Sequence, residues 1–250
     1  MTEFTGVRCT DKDGICELVL DNPGRRNALS LSLLDDLHQK LVATSDCRPG
    51  AVILRGAGDT FSAGADFTDL TGTVDDLAID NAIEEIVDCI RSMPAPVFAA
   101  VEGPCMGGAV DIALACDFLV ASEEAFFEVP TARLGLLYSP RAVVRWRQRL
   151  SGLTLRRMLL LGERFTAAEA VTAGVVSHLV APGSAREKSA ALAEQASLGT
   201  GHAITASKGL LVALESGDTD LSHWEKRRRE ILASPERQEA VARAKKATDS

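Results

Sequence analysis

Two stretches decide the fold: AVILRGAGDTFSAGADF at residues 51–67 and PVFAAVEGPCMGGAVDIALACDFLVA at residues 96–121. Ala51–Leu54 and Val97–Val101 carry no polar side chain, the pattern of strands covered on both faces. Each run enters a glycine-bearing loop. Gly103-Pro104 breaks the second run, Gly107–Cys116 then reads as a helix packed with small residues, and Phe118–Ala121 reads as another strand. Strands alternating with helices imply right-handed crossovers and a mainly parallel sheet.

Working outward, Ile15–Leu20 reads as a strand joined through Asp11-Lys12-Asp13-Gly14 to a shorter one at Val7–Thr10. Ser30 is placed to cap a helix whose apolar positions Leu33, Leu34, Leu37 and Leu41 follow the 3.6-residue period. Ile83, Ile86, Val87 and Ile90 mark a second amphipathic helix, ended by Met93-Pro94-Ala95-Pro96. After about Ser184 the pattern changes to four or so helical segments without a strand, among them Ala203–Glu215 and Ser222–Leu232. The expected organisation is a β/α core over residues 1–183 and a helical C-terminal region over 184–250. No low-complexity linker separates them, so the two are expected to pack together.

The 250 residues are 46% hydrophobic and 25% charged, enough to bury a sizeable core and far from a disordered or fibrous composition. Aromatic residues are only 4% and the net charge is −8, which argues against base stacking and phosphate tracking, hence against nucleic acid as a partner. Charge is uneven: nine acids and no Lys or Arg lie between Asp59 and Asp88, and six arginines between Arg141 and Arg157. Arg141–Arg149 and Lys226–Arg229 could therefore meet a polyanionic small molecule, although solvated helix faces explain them equally well. The six cysteines form no C-x-x-C pair, and the four histidines have no ligand spacing, so no metal is expected. Met1–Thr10 lacks the cationic start and apolar run of a secretory signal, and no stretch reaches a membrane-spanning length. A cytoplasmic protein with reduced thiols is the expectation.

Both glycine-rich loops follow strands, where a backbone N–H can be aimed at a ligand. Gly107-Gly108 does so at a helix start, with the dipole behind it. Two such donors on one oxygen would stabilise a thioester or similar carbonyl as it becomes an enolate. Taken singly, either loop is equally well an ordinary tight turn that lets helix and sheet approach closely.

Together the loops resemble the enoyl-CoA hydratase/isomerase (crotonase) family. Phe61–Phe67 matches the family's F-x-A-G-A-D-L/F loop, and Asn22-Pro23-Gly24-Arg25-Arg26-Asn27-Ala28-Leu29 is similar to its early CoA-contact segment. Pro96-Val97, Gly103-Pro104, Gly107-Gly108-Ala109 and Ala113–Asp117 match the second loop and its helix. Leu134-Gly135, Gly162–Ala167 and Gly174–Val176 continue the match in order. The resemblance implies a spiral of ββα units with a helical C-terminal trimerisation region, a homotrimer or a dimer of trimers, and an acyl-CoA substrate. It implies no cofactor beyond the coenzyme A of that substrate. Position by position, it places the oxyanion donors at Ala65 and Gly108, and substrate or CoA contacts at Arg25, Arg26, Ala28, Ala63, Gly64, Asp66, Phe67 and Tyr138.

Hydration across a conjugated double bond needs a base for water and an acid for the α-carbon. The resemblance puts the family's two glutamates at Asp111 and Thr131, and a third carboxylate of its dienoyl-CoA isomerases at Ser139. Only Asp111 keeps the function; the Thr131 hydroxyl does not titrate near neutral pH. Glu128 and Tyr138 are the neighbours that could substitute, and Asp69 and Glu102 flank the loops. The expected activity is that of an enoyl-CoA hydratase/isomerase-like enzyme of fatty-acid metabolism with weak hydratase activity. The alternative is a homologue that binds acyl-CoA without turnover.

Overall fold

The computed structural model describes residues 5–248; residues 1–4 and 249–250, the outer ends of the two expected regions, lie outside the described residues. In chain order the strands are β1 (Gly6–Lys12), β2 (Ile15–Asp21), β3 (Ala51–Gly56), β4 (Val97–Val101), β5 (Pro104–Met106), β6 (Phe118–Ser122), β7 (Phe126–Glu128), β8 (Phe165–Thr166) and β9 (His178–Val180). The helices are α1 (Leu31–Cys47), α2 (Leu77–Ser92), α3 (Gly108–Ala115), α4 (Thr131–Leu134), α5 (Pro140–Arg149), α6 (Gly152–Leu161), α7 (Ala167–Thr172), α8 (Ala185–Ser197), α9 (Gly201–Glu215), α10 (Ser222–Leu232) and α11 (Pro235–Thr248).

The larger sheet runs β1-β2-β3-β4-β6-β9, antiparallel at β1–β2 and parallel elsewhere. The smaller sheet runs β5-β7-β8 and continues as isolated bridges, Ser62 to Cys105 and Leu29 to Ala65. Each chain turn thus crosses the large sheet, then the small ladder, then a helix: β2, Leu29, α1; β3, Ser62–Ala65, α2; β4, β5, α3; β6, β7, α4. That repetition is the ββα spiral, and it stacks the corresponding loops of successive turns against each other.

The central strands are mostly apolar because both sheet faces are covered. Val52, Leu54, Val97, Ala99 and Val101 point into the main core with Leu33, Leu37, Ile83 and Ile86, while Ile53, Phe98, Ala100 and Val120 face Ala185 and Ala193 of α8. Ser30 caps α1, its Oγ accepting from Leu33 N at 3.2 Å. Among the C-terminal helices, α9 is tied to the core by buried Lys208. Its Nζ donates to Ile90 O at 3.0 Å, Ala95 O at 3.1 Å and Asp117 Oδ2 at 2.7 Å.

Candidate active site

The Phe61–Phe67 loop is held from two sides. Arg26 O accepts from Ala63 N, Gly64 O from Leu29 N, and Leu29 O from Asp66 N. Asn27, 1% exposed, donates to Ala57 O and Thr60 O and accepts from Asn22 N, pinning three loop segments with one side chain. Gly64 (φ +87°) packs so closely on the second loop that a Cβ there would stand 2.9 Å from Met106 O, and Gly107 has φ +55° with ψ −126°. Among the described residues, neither Ala65 N–H nor Gly108 N–H has an acceptor within the protein. Both residues line one cavity of about 550 Å³, bordered also by Phe67, Leu70, Leu77, Ile83, Thr131 and Leu137. The arrangement offers two spare backbone donors and the α3 N-terminus to an oxygen in an otherwise mainly apolar space.

Asp111, one turn into α3, lines the same cavity and is 2% exposed. Its Oδ1 accepts from Trp146 Nε1 at 2.7 Å and its Oδ2 from Arg145 Nη2 at 2.8 Å. Burial pushes its pKa up to about 6 against the opposing pull of Arg145 and Trp146, and the nearby Glu84 charge adds to the rise. Arg145 is shared with Glu84, which accepts from Arg145 Nη1 at 2.6 Å and from Ser139 Oγ at 2.6 Å. Burial raises the Glu84 pKa, but the bonds from Arg145 and Ser139 win and hold it below the usual carboxylate range. An acid held ionised, a guanidinium and an acid poised near neutrality therefore run in line from α2 through α5 to α3.

The structure brings Ala63, Gly64, Ala65, Phe67, Gly108, Asp111, Thr131 and Tyr138 onto this cavity, with Phe67 70% exposed at its edge. It does not put Arg25, Arg26, Ala28 or Asp66 on the lining. Arg25 Nη1 meets Asp66 Oδ1 at 2.7 Å behind the first loop, Arg26 is exposed beside it, and Ala28 is buried. The Tyr138 hydroxyl donates to Gly107 O at 3.3 Å, and burial pushes its pKa well above the usual phenol value. Thr131 Oγ1 donates to Leu159 O at 3.4 Å.

Of the two candidate substitutes, Tyr138 lies on the cavity and Glu128 is committed elsewhere, as are the flanking Asp69 and Glu102. Glu128 is buried and paired with Arg133 and Arg164, Asp69 accepts from Leu31 N, and Glu102 accepts from Gly183 N and Ala185 N at the start of α8. Three of the arginines read above as possible phosphate contacts are likewise engaged: Arg141 with Asp88, Arg145 with two acids, Arg149 with the Leu114 and Cys116 carbonyls. Three cavity or near-cavity residues were missed in the sequence: Asp80, Glu84 and Arg145. The four-residue spacing of Asp80 and Glu84 beside the apolar Ile79 and Ile83 was the available signal. No group of residues suited to a metal is found among the described residues, and no described helix is long and apolar enough to cross a membrane.

Comparison with known proteins agrees with this architecture. Residues 10–242 match the enoyl-CoA hydratase/isomerase family, and the chain belongs to it. It is 30% identical over 197 residues to the "Probable enoyl-CoA hydratase echA6" of Mycobacterium tuberculosis, covering 79% of this chain and 80% of that protein. It is 31% identical over 184 residues to human "Enoyl-CoA delta isomerase 2", covering 71% of this chain but only 47% of the longer human protein. Among solved structures, an enoyl-CoA hydratase/carnithine racemase from Magnetospirillum magneticum superimposes with a TM-score of 0.89 at 27% identity, covering 96% of this chain and 92% of that one.

Proposed function

We propose that this enzyme acts on acyl-CoA thioesters of fatty-acid metabolism by forming a thioester enolate, and that it shifts a double bond more readily than it adds water. The carrying observation is the meeting of two acceptor-free N–H groups, Ala65 and Gly108, with one buried carboxylate, Asp111, on a single cavity. The thioester oxygen accepts from both N–H groups, and negative charge that grows there is met by fixed dipoles; such a donor is typically worth about 3–4 kcal/mol of transition-state stabilisation. Asp111 takes the α-proton. A carboxyl titrating near 6 suits that work, because a general base is most effective when its pKa lies near the working pH. Arg25, Arg26, Ala28 and Asp66, outside the acyl cavity, and Ala63 on its lining border the coenzyme A moiety.

Hydration requires a second acid–base group aimed at water, and Thr131 supplies none. The test offers β,γ- and α,β-unsaturated enoyl-CoA separately and follows the absorbance of the conjugated thioester, with acyl-CoA binding measured in parallel. The expected result is fast appearance of the conjugated product from the β,γ-isomer and slow hydration of the α,β-isomer. Fast hydration would contradict the reading of Thr131. Tight binding without turnover of either isomer would make the chain a non-catalytic acyl-CoA binder.

A further inference from the structure

Among the described residues, Asp80 of α2 is the one carboxylate on the cavity without a hydrogen-bonding or ion-pair partner. The neighbouring acids on its helix face are all engaged: Asp76 accepts from Thr71 N, Thr71 Oγ1 and Gly72 N, and Glu84 is held by Arg145 and Ser139. Asp80 has neither a hydrogen bond nor an ion pair among the described residues, yet it lines the same cavity as Asp111, Ala65 and Gly108. Helical spacing fixes where it stands. Ile83 and Glu84 lie three and four residues further along α2, hence on the same face. Ile83 Cδ1 comes within 2.4 Å of where a Gly108 Cβ would be, and Glu84 reaches Asp111 through Arg145. Asp80 is therefore one helical turn along the cavity wall from the two residues that reach Gly108 and Asp111.

Asp80 is half-buried on the wall of a mainly apolar cavity, and among the described residues no hydrogen bond or ion pair offsets its partial desolvation. We infer that Asp80 is the second acid–base residue of the reaction, the partner of Asp111 in moving the double bond. The inference rests on the enolate reading above. In the step, Asp111 carboxylate takes the α-proton of a β,γ-unsaturated acyl-CoA. The C–H electron pair enters the conjugated enolate, whose oxygen sits on Ala65 and Gly108 N–H. The Asp80 carboxylic acid then gives its proton to the γ-carbon, the thioester carbonyl re-forms, and the double bond is left between the α- and β-carbons. Asp111 is now the acid and Asp80 the carboxylate, and exchange with solvent water restores both. Burial, with Glu84 and Asp76 nearby, raises the Asp80 pKa. The Tyr138 hydroxyl feels the charge of both Asp111 and Asp80, which puts the phenol within electrostatic reach of each.

The test separates the two half-steps. Exchange of the α-hydrogens of a saturated acyl-CoA in deuterium oxide needs only Asp111 and the two N–H donors. Conversion of the β,γ-unsaturated acyl-CoA needs proton delivery as well. Asp80→Asn is expected to retain the exchange while its conversion falls by about 10²-fold, the usual weight of one acid–base group, with partial rescue in Asp80→Glu. Conversion at the wild-type rate in Asp80→Asn, or an equal loss of exchange and conversion, would overturn the assignment. No exchange in the wild-type protein would sink the enolate reading, and this assignment with it.

Discussion

Asp111→Asn removes a titration that the fold itself has displaced. In the native protein the carboxyl is 2% exposed, accepts from Arg145 and Trp146, and titrates at about 6 instead of 3.8. Because its pKa is raised on folding, the native state holds the proton more tightly than the unfolded chain. Its contribution to stability is therefore largest below pH 3.8 and is lost as pH rises through the window from there to about 6. At 1.36 kcal/mol per pH unit, the loss is about 3 kcal/mol once both states are ionised. Asparagine cannot ionise, so the variant lacks that loss. Its amide oxygen can accept only where one of the two donors points, and leaving the other unpaired costs about 1–3 kcal/mol. The variant should thus be the less stable protein near pH 4 and draw level with or overtake the wild type by pH 7. Urea unfolding of both proteins at a fixed protomer concentration, at several pH values across that range, measures the difference directly. A stability difference that stays constant across the range would refute the raised pKa and the role of burial in it.

Three further outcomes follow from other parts of the structure. Gly64→Ala puts a Cβ 2.9 Å from Met106 O at φ +87°, so it should cost about 1–3 kcal/mol in denaturant unfolding and lower turnover by displacing the Ala65 N–H. Lys208→Met strips the Ile90 and Ala95 carbonyls and Asp117 of their shared donor, and should destabilise the protein by about 1.5–3 kcal/mol while leaving acyl-CoA affinity unaltered. Thr131→Glu restores a carboxylate on the cavity wall, and hydration of α,β-unsaturated acyl-CoA should rise on the order of tenfold or more; no gain in a folded variant would show that Thr131 is not what limits hydration.

Five strands of the large sheet, β1, β2, β3, β4 and β6, were legible because their causes are local, whereas the short edge strand β9 (His178–Val180) was not read from the sequence. Val97–Val101 and Ser222–Leu232 fall where the sequence put them, and Met93 ends α2 as its following proline requires. The small sheet was not legible from periodicity: Phe126–Glu128 and Phe165–Thr166 are too short to show a period, and they exist because successive spiral turns bring them into register. The same holds for the site. The two loops announce themselves through Gly64 and Gly108, where a Cβ would stand 2.9 Å from Met106 O and 2.4 Å from Ile83 Cδ1, and through Gly107, whose φ is +55°. Arg145 and Glu84 reach Asp111 across 34 residues and through a third helix, and no sequence pattern encodes that meeting. Asp80 was hidden inside an acidic stretch that reads as a solvated face, and only its place on the cavity wall sets it apart from Asp75 and Asp88.

Every proposed step depends on Ala65, Gly108 and Asp111 together making and holding a thioester enolate. Proton NMR of a saturated acyl-CoA incubated with the protein in deuterium oxide tests it without any assumption about the natural acyl chain. Loss of the α-hydrogen signal is expected with the wild-type protein and none with Asp111→Asn. An unchanged signal with bound wild-type protein, or equal exchange by both proteins, would contradict it.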